Sequence, residues 1–256
     1  MKPVRFDDPD RAAAECLKRL QESEYPLALT GAGVSTDSGV PDFRSKSGLW
    51  KKYPASSMSI EYFQENPAEF YKIHQQFLNT LLGSQPNVTH DVLAQLESKQ
   101  LLRAVITQNI DGLHEKADQE TVLNCHGTAY TLSCTQCGQQ EHLQDFLNKY
   151  SQYQYYCTEC GGIMKPDVTL FGESLPEDFL RAAEMAEKAD FMMVLGTSLA
   201  VYPVAGLVDI LLSRGAAIFI INRDPVPVEH KVDYLYYGNL RDFSDSMNEK
   251  LQKMFP

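Results

Sequence analysis

The stretch Tyr25-Pro-Leu-Ala-Leu-Thr30-Gly31-Ala-Gly33-Val-Ser-Thr36-Asp-Ser-Gly39 decides the fold. Its first half, apolar and without helical spacing, predicts a short buried strand that runs straight into a glycine-rich turn. A dinucleotide phosphate loop lies in this position in a βαβ unit: glycines let the backbone approach a pyrophosphate, and the amides of the next helix start stabilise its charge. The G-x-G-x-x-G pattern is incomplete, however. Thr36 holds the sixth position, and the region about twenty residues on, Gly48-Leu-Trp-Lys-Lys52, offers no carboxylate for a ribose. Taken alone, the turn reads as a nucleotide loop or as a plain glycine turn, and it matches a hydride-transferring dehydrogenase poorly.

Working outward, residues 101–107, 191–196 and 216–222 are apolar runs of the kind that form buried parallel strands. Helical patterns precede them at 88–99, 176–189 and 205–213, and residues 9–23 space Ala13, Cys16, Leu17 and Leu20 at helical intervals. Alternation of this kind predicts right-handed crossovers and an α/β fold, a Rossmann-like doubly wound parallel sheet. Two segments interrupt it. Residues 45–85 read as a helical module carrying a helix over 67–82, and residues 130–165 as a small polar lobe with paired cysteines. The expected division is therefore a large domain of 1–44, 86–129 and 166–256 and a small domain of the two insertions.

Cys134-Thr-Gln-Cys137 and Cys157-Thr-Glu-Cys160 stand nineteen residues apart, with Gly138 and Gly161 after each pair. That spacing is the pattern of a zinc ribbon holding one Zn2+ through four thiolates, in preference to two redox C-x-x-C motifs. Four thiolates leave no coordination position for substrate, so the expected role is structural. The 256 residues are 43% apolar and can bury a sizeable core, and cysteine clustering argues for a reducing compartment. With no signal-like or membrane-length apolar run, a cytoplasmic, non-membrane protein is expected. The formal net charge of −11 disfavours nucleic-acid binding. A monomer is assumed.

The blocks taken together resemble the sirtuin family. Residues 31–44, ending Val-Pro-Asp42-Phe43-Arg44, are similar to its signature almost letter for letter. Thr107-Gln-Asn-Ile-Asp111 with Gly112-Leu-His114, His126-Gly127, Gly196-Thr-Ser-Leu199 and Asn222-Arg-Asp224 follow in the family's order, with the cysteine pairs between them. The resemblance implies an enzyme that uses NAD as co-substrate, moving an acyl group from a lysine of a partner protein to ADP-ribose and releasing nicotinamide. His126 would be the general base, fitting a residue whose ordinary pKa lies near neutrality. Asn109 would hold the ribose and a water, Asp111 and the Ile110 backbone the nicotinamide amide, and Gln108 the ribose hydroxyls. Gly31, Ala32, Gly33, Thr36, Asp42, Phe43 and Arg44 would line the NAD site. Gly196, Thr197, Ser198, Asn222, Arg223 and Leu240 would take its adenosine half.

Val168, Thr169, Phe171, Gly172 and Glu173 resemble the family's peptide-binding segment, which receives substrate as an added strand. Lys165 replaces a common arginine there and Thr169 a common valine. Family members that favour acidic acyl groups carry a tyrosine and an arginine three residues apart. Tyr71 matches the first, but His74 stands at the second, and no arginine lies between Arg44 and Arg103. An acidic acyl chain would be buried without a cation, so neutral acyl groups are expected. Protein mono-ADP-ribosylation is the alternative chemistry the same blocks allow.

Overall fold

Pro26–Thr30 is buried at every position and sits near the middle of a seven-stranded parallel sheet. The protein is described from a computed structural model covering residues 2–43, 48, 51, 53–149 and 155–255, apart from the side chains of residues 74, 76 and 147–149. Arg44 lies outside the described residues. The strands in chain order are β1 (Val4–Phe6), β2 (Pro26–Thr30), β3 (Ala104–Thr107), β4 (Val122–Asn124), β5 (Gly127–Cys134), β6 (Gln140–His142), β7 (Met164–Val168), β8 (Phe191–Leu195), β9 (Ala217–Asn222) and β10 (Tyr234–Tyr237). The helices are α1 (Pro9–Glu22), α2 (Ile60–Glu65), α3 (Pro67–Gly83), α4 (Val88–Ser98), α5 (Leu113–Lys116), α6 (Leu143–Lys149), α7 (Glu177–Ala186), α8 (Gly206–Arg214) and α9 (Leu240–Met254).

The large sheet runs in the order β1-β10-β9-β8-β2-β3-β4, parallel throughout. From β2 the chain steps to β3 on one side, while β8 closes the other. This reversal is the switch point where a doubly wound sheet opens a crevice beyond its carboxyl ends. Alternate residues of each strand feed two cores. Leu27, Leu29, Ile106, Val194 and Ile220 pack against Ala182 of α7 and Leu207 and Leu211 of α8. Ala28, Val105, Met193, Phe219 and Ile221 pack against Leu17 of α1, Leu93 of α4 and Phe243 and Met247 of α9.

A second, antiparallel sheet has the order β6-β5-β7. Leu132, Met164 and Val168 from it join Phe63 of α2 and Phe70, Tyr71 and Leu81 of α3 in a third core. Tyr71 stacks on Tyr155 with ring centroids 3.5 Å apart.

The glycines of the opening motif have a packing reason that precedes any ligand. Gly31 and Gly33 follow β2, Gly196 follows β8, and the two turns interlock: the amide of Gly33 donates to the Gly196 carbonyl at 2.8 Å. A methyl group on Gly33 would stand 2.7 Å from both the Cα and the carbonyl oxygen of Gly196, and Gly196 itself holds φ +60. Gly33→Ala forces backbone apart and is expected to destabilise by about 1–3 kcal/mol, lowering Tm by about 2–12 °C in a thermal melt.

Candidate active site

The carboxyl ends of β2, β3, β8, β9 and β10 converge on a cleft of about 910 Å3. After β2, residues Ala32–Ser38 form a 3-10 helix rather than the α-helix start expected of a phosphate loop. Gly31, Ala32, Gly33, Thr36, Asp42 and Phe43 line the cleft from this side. Gln108, Asn109, Ile110 and Asp111 line it from the end of β3, and His126 from the turn between β4 and β5. Gly196, Thr197 and Ser198 after β8, Asn222 and Arg223 at β9, and Leu240 at the start of α9 complete one flank. Val168, Thr169, Phe171, Gly172 and Glu173 form the opposite wall. Sequence reasoning missed Val40, Pro41, Met58 and Phe77 on the apolar wall and Tyr202 at the mouth. Apolar loop residues carry no chemical signature that would have marked them.

His126 is held twice. Its Nδ1 lies 3.0 Å from the Gln108 carbonyl oxygen. A carbonyl only accepts, so Nδ1 carries the proton and Nε2 keeps its lone pair. Its own carbonyl accepts from the Thr169 amide at 2.8 Å. Gly127, at φ +73, brings β5 so close to β7 that an added methyl would lie 2.0 Å from the Asp167 carbonyl oxygen. Burial pushes the imidazole pKa down, partly offset by the bond to Gln108. The ring is therefore a neutral base at physiological pH.

Asn109 and Asp111 share a buried network. Asn109 Nδ2 donates to Ser35 Oγ at 3.1 Å and to the Gly31 carbonyl at 3.3 Å. Ser35 Oγ in turn donates to Asp111 Oδ2 at 2.7 Å, and the Leu113 amide donates to Oδ1 at 3.0 Å. Burial raises the Asp111 pKa, against these hydrogen bonds, which lower it. Behind Ser35 stands His90, whose Nδ1 accepts from the Asn87 amide at 3.3 Å. Its proton is thereby placed on Nε2, 3.5 Å from Ser35 Oγ. The His114 ring lies 4.9 Å from that of His90 and its Nε2 is 3.0 Å from Thr30 Oγ1. On the other flank Gln108 Nε2 donates to Thr197 Oγ1 at 2.9 Å, and Asn222 Nδ2 to the Thr197 carbonyl at 3.2 Å. Arg223 spans the mouth towards Asp42 at 4.0 Å.

Burial lowers the His90 pKa to about 4 and that of His114 well below its ordinary value. The folded state leaves these rings neutral while the unfolded chain protonates them below pH 6.5. Stability is thus complete above pH 6.5 and is lost as pH falls towards 4. His90 alone accounts for on the order of 3 kcal/mol across that window. Urea melts at pH 7.5, 6 and 5 should show the decline, and His90→Phe should make it shallower, leaving the part due to His114.

The four cysteines converge beyond β5 and β7, with their Sγ atoms all within 4.8 Å of one another. Cys134 and Cys160 sulfurs are 3.5 Å apart and those of Cys137 and Cys157 3.7 Å, close to the edge of about 3.8 Å for thiolates tetrahedral around zinc. The donor set fits one Zn2+.

Tyr71 does not line the cleft: its ring is buried among Phe63, Phe70 and Tyr155. The His74 side chain lies outside those described.

The fold and cleft define a class, a Rossmann-like nucleotide-binding protein whose second sheet carries a four-cysteine cluster that fits one zinc ion. The Sir2 family model matches residues 31–203, and the chain belongs to that family. It is similar to the NAD-dependent protein deacetylase of Thermotoga maritima, 37% identical over 92% of this chain and 97% of that one. The NAD-dependent protein deacylase of Pyrococcus furiosus is 36% identical over 94% of this chain and 98% of its own length. A solved Sir2 complex with p53 peptide and NAD+ superposes with a TM-score of 0.86 at 36% identity, covering 92% of this chain and 97% of that chain. A Sir2 variant holding a deacetylated p53 peptide and 3'-O-acetyl ADP ribose gives a TM-score of 0.89 at 37% identity over 93% and 97%.

Proposed function

We infer that the chain is an NAD-dependent protein lysine deacylase, which transfers the acyl group of an acyl-lysine to ADP-ribose and releases nicotinamide. The observation that carries this is the neutral His126 imidazole with Nε2 free, in one cleft with Asn109 and Asp111. A base with a lowered pKa beside a cleft of mixed polar and apolar lining suits activation of a ribose hydroxyl near neutral pH. Asn109 and Asp111, fixed through Ser35, orient the nicotinamide end of NAD, with the Ile110 backbone and Gln108 beside them. Ala32, Thr36, Asp42 and Phe43 cover that end and exclude water, which protects a reactive glycosyl centre. Thr197, Ser198, Asn222, Arg223 and Leu240 receive the adenosine half. Residues 168–173 receive the acylated peptide.

Cys134, Cys137, Cys157 and Cys160 would hold one Zn2+, which supplies structure to the small sheet. We read 45–85 and 130–165 as the small domain of the expected division. Acylated proteins are the partners. No helix among the described residues is long and apolar enough to cross a membrane. Cysteines without disulfides fit a reducing, cytoplasmic setting, and the net charge of −11 argues against nucleic acid as a partner.

Val40, Pro41, Met58, Phe77 and Ile110 give the cleft an apolar stretch of lining, and no arginine lies between Arg44 and Arg103 to meet an acidic acyl group. Neutral acyl groups are therefore preferred, acetyl first. The test is nicotinamide release from NAD with acetyl-, butyryl- and succinyl-lysine peptides. Release that needs an acetylated peptide is expected. Release without peptide would sink the deacylase reading, and faster desuccinylation the acyl preference.

A further inference from the structure

Lys165 lies on β7, outside the cleft, yet its ammonium is spent entirely on the segment that would receive the peptide. The side chain is 15% exposed, and Nζ stands 2.9 Å from Glu173 Oε2. It also donates to the carbonyls of Val168 at 2.9 Å and Pro166 at 3.1 Å. An ammonium has three protons, and here each has an acceptor. Glu173 Oε2 accepts in addition from the Leu170 amide at 2.8 Å, so one carboxylate oxygen ties the two ends of the 170–173 turn to the strand beneath. The turn is closed by the Glu173 amide on the Leu170 carbonyl at 3.0 Å, and Gly172 sits at φ +94. On its outer side Phe171 exchanges main-chain bonds with Met58 and Ile60 of the helical insertion, at 2.9 and 3.0 Å. On its inner side the Thr169 amide meets the His126 carbonyl.

We propose that Lys165 is a positioning residue for the acyl-peptide: its bonds to Val168 and Glu173 hold residues 168–173 in the shape that accepts substrate. Besides the Leu170 amide on Glu173, the turn's main-chain ties lie at its two rims. Among the described residues Lys165 reaches under it, joining the start at Val168 to the end at Glu173. Charge-assisted bonds in a half-buried place are the stronger kind, and they keep the turn shaped before substrate arrives. Without Lys165 the carboxylate of Glu173 loses its cation and turns to solvent, releasing the Leu170 amide. Peptide binding then has to reorder the turn, whereas NAD binding, on the opposite flank, does not.

This rests on the deacylase reading, and the experiment separates the two. Lys165→Met, Lys165→Arg and the unaltered chain are compared for KM with acetyl-lysine peptide, for KM with NAD, and for binding of a fluorescent acetyl-lysine peptide by anisotropy. Lys165→Met is expected to raise the peptide KM and Kd about tenfold or more, the worth of one charge-assisted bond, with the NAD KM within about threefold. Lys165→Arg keeps the charge and should recover most of the loss. Hydrogen exchange should quicken at the Leu170 amide in Lys165→Met. Should that variant fail to fold, Lys165→Gln reads the same quantities. A peptide KM and Kd within about twofold of the unaltered chain, or an NAD KM that rises equally, overturns the proposal. An unaltered chain that binds the peptide but releases no nicotinamide sinks the deacylase reading, and the anisotropy comparison still decides the role of Lys165.

Discussion

Replacing His126 with glutamine should lower acyl transfer about 10²–10⁴-fold, the range lost with a general base. Glutamine keeps a donor for the Gln108 carbonyl and comparable bulk, so the fold and the NAD flank are expected to stand. What it lacks is a basic nitrogen at the place of Nε2. Nicotinamide exchange should survive better than acyl transfer, because the base is asked for only after nicotinamide has left. Product analysis by mass spectrometry with labelled nicotinamide checks this, and equal loss of both partial reactions would count against the assigned role. The pH profile gives an independent view. Burial disfavours imidazolium, so His126 stays unprotonated below its ordinary 6.5. The acidic limb of kcat/KM for the unaltered enzyme should therefore fall at a pH below 6.5, with activity lost as protons occupy Nε2.

Loss of the metal should be larger still in its structural reach. Cys134→Ser, or a strong chelator, removes a ligand set whose apparent binding free energy is about 10–16 kcal/mol at neutral pH in small zinc modules. The ligands are built into the β6-β5-β7 sheet: Cys134 and Met164 pair across β5 and β7, and Cys157 joins the same core. Its loss is felt at the cleft, since β5 begins one residue after His126 and β7 leads into residues 169–173. Inactivation, faster hydrogen exchange at Leu132 and Met164, and a large drop in Tm are expected, while β2, β3 and β8 keep their protection. One zinc per chain should be found by elemental analysis. Full activity in the chelated, zinc-free protein would defeat this account.

Much of the large sheet was legible because its strands are continuous apolar runs between helical patterns, as at residues 191–195. The cysteine pairs were equally plain, since a metal imposes its own spacing. Other parts left weaker traces. β1 and β10 are three and four residues long, too short for a periodic signal. In α9 the buried positions Phe243, Met247 and Leu251 keep a four-residue spacing, but the polar residues between them dilute the apolar signal. Ser35 was passed over as one more small residue of a glycine turn. Its importance depends on residues 87–90 and 109–111 arriving beside it, which no local pattern announces. Tyr71 shows the opposite failure: alignment gives it a substrate-facing role, while aromatic packing takes it into the core.

The hydrogen bond between the Thr169 amide and the His126 carbonyl has a consequence for how such an enzyme can diverge. On the proposed roles, that bond ties the segment that would receive the peptide to the residue that would accept the proton, so a shift in one is passed to the other. A change that reshapes residues 168–173 for a bulkier guest will also tilt the imidazole. Broadened substrate choice should therefore arrive with slower turnover, until a compensating change restores the ring's aim.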